Sequence, residues 1–127
     1  MNNRIDHKFK GFVAVVDDDT EMRSLLEDFL KQQGYQVFAF ENGPCLIEFL
    51  KSESEESQKL EVILSDIQMP LMSGIDLVFH IREYNKEVPI ILMTAFGSIE
   101  SAIAAMKKGV FDYITKPFKL NEMLLNV

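Results

Sequence analysis

Short apolar runs alternate along the chain with stretches in which apolar residues recur every three or four positions. Phe12-Val13-Ala14-Val15-Val16 is continuous and rich in β-branched residues, which predicts a central strand buried on both faces. Tyr35 to Phe40, Val62 to Leu64, Pro89 to Met93 and Phe111 to Thr115 predict the other strands. Met22, Leu25, Leu26, Phe29 and Leu30 fall at i, i+3, i+4, i+7 and i+8, the stripe of an amphipathic helix. Asp19 is its predicted N-cap and Gly34 its stop. Glu41-Asn42-Gly43-Pro44 reads as a turn, with Pro44 as the first residue of a helix carrying Leu46, Ile47, Phe49 and Leu50. Gly74 opens a helix with Ile75, Leu77, Val78 and Ile81. Gly97-Ser98 leads into a fourth helix, with Ile99, Ala102, Ile103 and Met106 on one face and Gly109 at its end. Lys119 to Val127 begins a last helix with Leu120, Met123 and Leu124 apolar. Lys51 to Lys59 is the one biased segment, predicted as a frayed helix end followed by a solvated loop.

Strand then helix, repeated along the chain, predicts an α/β fold: a doubly wound five-stranded parallel sheet with helices on both faces and right-handed crossovers. Residues 1–11 read as a flexible lead-in and 12–127 as one domain. The last helix reaches Val127 without a cap or stop, and we expect the chain to continue.

Composition narrows the function. At 127 residues, 47% apolar and 26% charged, the chain has the make-up of a soluble domain with its own core. A net charge of -7 argues against direct nucleic-acid contact. No apolar run approaches a membrane span, and Met1 to Lys10 lacks a signal-peptide core. A single cysteine, Cys45, suits the cytoplasm and is expected to be a buried or half-buried packing residue. His7 and His80 have no evident metal partner.

The polar residues at the strand ends carry the chemistry. The first strand ends in Asp17 and Asp18, the third in Asp66, the fourth in Thr94 and the fifth in Lys116. In a parallel sheet these ends share one edge, so three carboxylates, a hydroxyl and a cation would meet in one cleft. Taken singly, each has a structural reading. Asp17, Asp18 and Asp19 suit a helix N-terminus, which is the role expected for Asp19. Lys116 could be a surface lysine and Thr94 a strand-end hydroxyl. Clustered carboxylates must either share protons or hold a divalent cation. An all-oxygen set without His or Cys suits a hard ion such as Mg²⁺. With a cation present, Asp66 can stay ionised and attack phosphorus, while Lys116 and Thr94 supply charge and a hydrogen bond to phosphoryl oxygens.

These residues, in this order, resemble the receiver domain of a two-component response regulator, which has a flavodoxin-like fold. The matching motifs are Val-Val-Asp17-Asp18-Asp19, Asp66-Ile-Gln-Met-Pro70 with Gly74, Thr94-Ala95, and Tyr113-Ile-Thr-Lys116-Pro117-Phe118. The likeness covers Phe12 to Val127. The stretch from Thr94 to Phe118 is similar to the nitrogen-regulation type, whose receivers precede a sigma-54 ATPase and a DNA-binding domain.

The resemblance implies that Asp66 is the phosphoacceptor, charged by a sensor histidine kinase. It implies Mg²⁺ held by Asp18, Asp66 and the Gln68 backbone carbonyl, with Asp17 acting through water. Thr94 and Lys116 would grip the phosphoryl group, and Thr94 and Tyr113 would form the switch. Independently of the resemblance, small residues such as Ala104 and Ala105 on the fourth helix, with Val110, Phe111 and Tyr113 nearby, make the face of the fourth helix, fifth strand and last helix a candidate homodimer or partner surface. By the resemblance, Gln68 and Phe96 would flank the hydrolytic water, and neither is an acid or base, which implies slow self-dephosphorylation. On this reading the chain is no enzyme in the ordinary sense. A phosphoaspartyl hydrolase is the competing class, but Glu21 stands where its motif needs Thr or Val. A stand-alone receiver acting through protein contacts is the other alternative.

Overall fold

The structure is a computed structural model that describes residues 10–67, 69–94 and 112–115. Its elements are β1 (Gly11–Val16), α1 (Thr20–Gln32), β2 (Tyr35–Phe40), α2 (Gly43–Lys51), α3 (Glu55–Gln58), β3 (Leu60–Asp66), α4 (Gly74–Tyr84), β4 (Ile90–Thr94) and β5 (Asp112–Thr115). The strands form one sheet in the order β2-β1-β3-β4-β5, and each pairing is parallel. The expected five-stranded parallel sheet is present.

Alternation of side chains along each strand splits the core in two. Val13 and Val15 of β1, Val62 and Leu64 of β3, and Ile91 and Met93 of β4 join Leu26 and Leu30 of α1 on one face. Ala14, Val16, Ile63, Ile90 and Leu92 point the other way, onto Leu46, Ile47 and Leu50 of α2 and Leu77, Val78 and Ile81 of α4. Both faces of the sheet are therefore covered. Each fully buried aliphatic side chain contributes about 2 kcal/mol. Phe49 of α2 stacks between Phe38 and Phe40 of β2, with centroid distances of 5.0 and 5.4 Å, which docks α2 on the sheet edge.

The caps follow the sequence closely. Asp19 caps α1, accepting from the N–H of Glu21 at 3.0 Å and of Met22 at 3.3 Å. Gly34 takes a positive φ of 101° just after α1, a conformation that favours glycine. Asn42 caps α2 and Ser73 caps α4. Helix α2 starts one residue earlier than expected, at Gly43, with Pro44 still in its first turn.

Four expectations need correction. The segment before β3 is not merely a frayed end and loop: it contains α3, capped by Ser54, with Ser57 buried. A Ser cap followed by Glu55 and Glu56 suits a helix N-terminus, and these local preferences outweigh the charged composition. Leu25 is 50% exposed rather than part of the buried stripe. The buried face of α1 centres on Leu26 and Leu30, and Leu25 lies roughly 100° around the helix from Leu26. Cys45 is exposed, because it lies across α2 from Leu46, Ile47 and Leu50. Strand β3 runs from Leu60 to Asp66, longer than the apolar run, since Ser65 is fully buried and donates its hydroxyl to the Asp66 carbonyl at 3.0 Å. No helix among the described residues is long and apolar enough to cross a membrane.

Candidate functional site

The chain leaves β1 towards β2 on one side of the sheet and returns to β3 on the other, so the strand order reverses between β1 and β3. At such a point the loops at the carboxyl ends of the two strands diverge and leave a crevice. Val16 is in register with Ser65, which sets Asp17, the next residue, beside Asp66. Asp18 follows in the same loop. Oxygen atoms of Asp17, Asp18 and Asp66 lie within 4.8 Å of one another. Asp17 is fully buried, Asp66 is 9% exposed and Asp18 is exposed. The group thus has a dry floor and one wet member.

The main chain holds Asp17 firmly. Its N–H donates to the Phe40 carbonyl of β2 at 3.1 Å. Its Oδ1 accepts from the Asp19 N–H at 2.9 Å. Its carbonyl accepts from Arg23 Nη1 of α1 at 2.7 Å. The three consecutive aspartates therefore have different tasks. Asp17 is built into the floor, Asp18 faces the crevice mouth, and Asp19 caps the helix.

Asp66 ends β3, and the chain behind it is packed tightly. The Ile67 N–H donates to the Met93 carbonyl at 3.1 Å, carrying the ladder one step past the strand. The Gly74 N–H donates to the Ile67 carbonyl at 2.7 Å. A Cβ on Gly74 would collide with the Asp66 carbonyl and stand 2.8 Å from Ile67 Cα. Gly74 is thus more than a helix opener: only glycine lets α4 begin directly on the backbone of the site.

A set of three carboxylates, two of them buried, is suited to a hard divalent cation and to no soft one. Without a cation the three charges repel at short range, and burial sharpens the repulsion. The arrangement can hold such an ion, and it presents Asp66 beside it.

The remaining expected residues divide by position. Thr94 ends β4, directly after Met93, the partner of Asp66 in register. Tyr113 lies in β5 opposite Leu92, and Thr115 pairs with Thr94. For Thr94 and Tyr113 this is a backbone placement. Gln68, Phe96, Lys116 and the helix expected over 97–109 lie outside the described residues. Arg23 is a site residue that sequence reasoning missed. The available signal was a cation close to a helix N-terminus, where the helix dipole disfavours it.

The response regulator receiver domain family matches residues 13–127, and the chain belongs to it. Within that family it is similar to the DNA-binding transcriptional regulator NtrC of Escherichia coli K12, with 40% identity over 113 residues, 89% of this chain and 23% of that protein. The regulatory protein AtoC of the same organism is 34% identical over 115 residues, 91% of this chain and 24% of its own length. The chain therefore spans about a quarter of the length of the curated relatives it matches. Among solved structures, a response regulator receiver domain protein from Clostridium thermocellum superposes with a TM-score of 0.81 at 26% identity, covering 91% of this chain and 90% of that one. The resemblance read from the motifs, including its nitrogen-regulation character, is borne out.

Proposed function

We propose that the chain is a phosphorylation switch whose phosphoacceptor is Asp66. The donor is the phosphohistidine of a sensor histidine kinase. An Asp66 carboxylate oxygen forms a bond to phosphorus as the phosphorus–nitrogen bond breaks, and the histidine ring nitrogen keeps the electron pair. The observation that carries this reading is the meeting of Asp17, Asp18 and Asp66 oxygens within 4.8 Å at the crevice between β1 and β3.

Asp18, Asp66 and the Gln68 backbone carbonyl would hold Mg²⁺, with Asp17 engaged through water, and the ion would supply positive charge that offsets the phosphoryl oxygens. The Thr94 hydroxyl donates to one phosphoryl oxygen and the Lys116 ammonium pairs with another. The register Asp66–Met93 and Thr94–Thr115 supports this, because it brings the ends of β3, β4 and β5 to one edge. Movement of Thr94 towards the phosphoryl group leaves room for Tyr113 to turn inward. That change reshapes the face expected from the fourth predicted helix, β5 and the last predicted helix, where a second copy docks. The output is transcriptional, as the likeness to the DNA-binding transcriptional regulator NtrC supports, and the nitrogen-regulation character of the motifs points to sigma-54-dependent activation. The domain catalyses only its own phosphorylation and a slow dephosphorylation.

The test is self-labelling. Acetyl phosphate with Mg²⁺ should add one phosphoryl group per chain, detected by intact mass and removed by hydroxylamine. Chelation of the metal and Asp66→Asn should each abolish it. Labelling that persists in Asp66→Asn, or repeated turnover of small phosphate esters, would overturn the reading.

A further inference from the structure

Each polar main-chain atom of Asp17 has a partner, and the one on its carbonyl comes from a side chain. Arg23 Nη1 donates to that carbonyl at 2.7 Å, while the Asp17 N–H is held by Phe40 of β2. The carbonyl belongs to the planar peptide that joins Asp17 to Asp18. Fixing it fixes the direction in which the Asp18 side chain leaves the backbone. The Arg23 N–H also donates to the Asp19 carbonyl at 2.9 Å, so the same residue ties the far end of the loop into α1.

We propose that Arg23 is a positioning residue for the divalent cation. It sets the Asp17–Asp18 peptide so that the two carboxylates and Asp66 converge on one point, without itself touching the ion. The inference rests on reading the three carboxylates as a cation site. Groups of this kind, one layer behind the ligands, typically contribute about 10- to 100-fold in metal affinity.

The sign of the effect separates positioning from charge. A guanidinium beside the cluster repels an incoming cation, so charge alone predicts tighter binding when Arg23 is removed. Positioning predicts weaker binding. The Arg23 side chain also lines an open surface cavity of about 370 Å³ with Phe40, Glu41 and Cys45. Truncation there opens onto solvent and leaves no sealed void, so the fold should survive it.

The experiment is calorimetric titration of Mg²⁺ into the wild type, Arg23→Ala, Arg23→Lys and Asp18→Asn, with thermal melts of each metal-free protein. The expected result is binding by the wild type and loss in Asp18→Asn. Arg23→Ala should bind about 10-fold more weakly while still melting cooperatively, and Arg23→Lys, which keeps one donor and the charge, should fall between. Unchanged or tighter binding in Arg23→Ala overturns the inference and leaves the cation site standing. If Arg23→Ala does not fold, Arg23→Lys decides, and wild-type affinity there overturns the inference. Failure of the wild type to bind, or full binding by Asp18→Asn, overturns the cation site and this inference with it.

Discussion

Gly74 sits on the main chain of Asp66, so close that a Cβ at position 74 would strike the Asp66 carbonyl. The same glycine donates its N–H to the Ile67 carbonyl at 2.7 Å, locking the start of α4 to the end of β3. The loop between them leaves and returns at one point behind the proposed phosphoacceptor. Gly74→Ala must push α4 and β3 apart, because the atoms it meets are backbone. We predict a loss of about 2 kcal/mol in stability, typical of overpacking, together with weaker Mg²⁺ binding and slower labelling by acetyl phosphate. Chemical denaturation and the labelling time course check this, and a wild-type rate in the folded variant would contradict it.

The carboxylate cluster makes an opposite prediction for stability. With no cation present, Asp17, Asp18 and Asp66 repel one another across less than 4.8 Å. Asp66→Asn removes one of the charges and should raise the melting temperature of the metal-free protein. Mg²⁺ should raise the wild-type melting temperature, since binding to the folded state stabilises it by mass action. It should do so less in Asp66→Asn. Melts with and without chelator read both effects, and a metal-free Asp66→Asn less stable than wild type would refute the repulsion.

How far the sequence could be read depended on what kind of contact each feature rests on. Strands β1 and β4 were legible because both faces are buried, which leaves unbroken apolar runs. Strand β3 was seen short because Ser65 and Asp66 break its run, although Ser65 is fully buried with its hydroxyl satisfied by the neighbouring carbonyl. The three carboxylates were legible because strand ends in a parallel sheet share an edge. Arg23 was not, since a side chain reaching a main-chain oxygen six positions back leaves no periodic trace. The exposure of Leu25 and Cys45 turned on the rotation of their helices about their axes, which tertiary packing sets.

Arg82 stabilises the turn into β4. Its Nη1 donates to the carbonyls of Asn85 at 3.2 Å and Val88 at 2.7 Å. Burial lowers its pKa from the ordinary arginine value, yet a guanidinium remains a cation at neutral pH. Arg82→Ala leaves both carbonyls without this donor and should cost about 2 kcal/mol, as for hydrogen bonds from a charged group. The site lies at the other end of β4, so labelling of the folded variant should keep its wild-type rate. Loss of labelling without loss of stability would count against this division.

Asp18 and Asp19 are neighbours with opposite predicted phenotypes. Asp19 accepts from two N–H groups at the start of α1, and without it those donors lose their partner. Asp19→Ala should therefore lower stability by about 1 kcal/mol, as for other helix caps. Its Mg²⁺ affinity should stay near wild type, because the peptide between Asp17 and Asp18 is still held by Arg23. Asp18→Asn removes an exposed charge from the repelling cluster and takes no part in the cap. It should lose Mg²⁺ binding and labelling while the metal-free protein melts at or above the wild-type temperature. Measuring melts and titrations on both variants tests the assignment directly. If Asp19→Ala lost the ion and Asp18→Asn kept it, the division of labour in this loop would be the reverse of the one proposed.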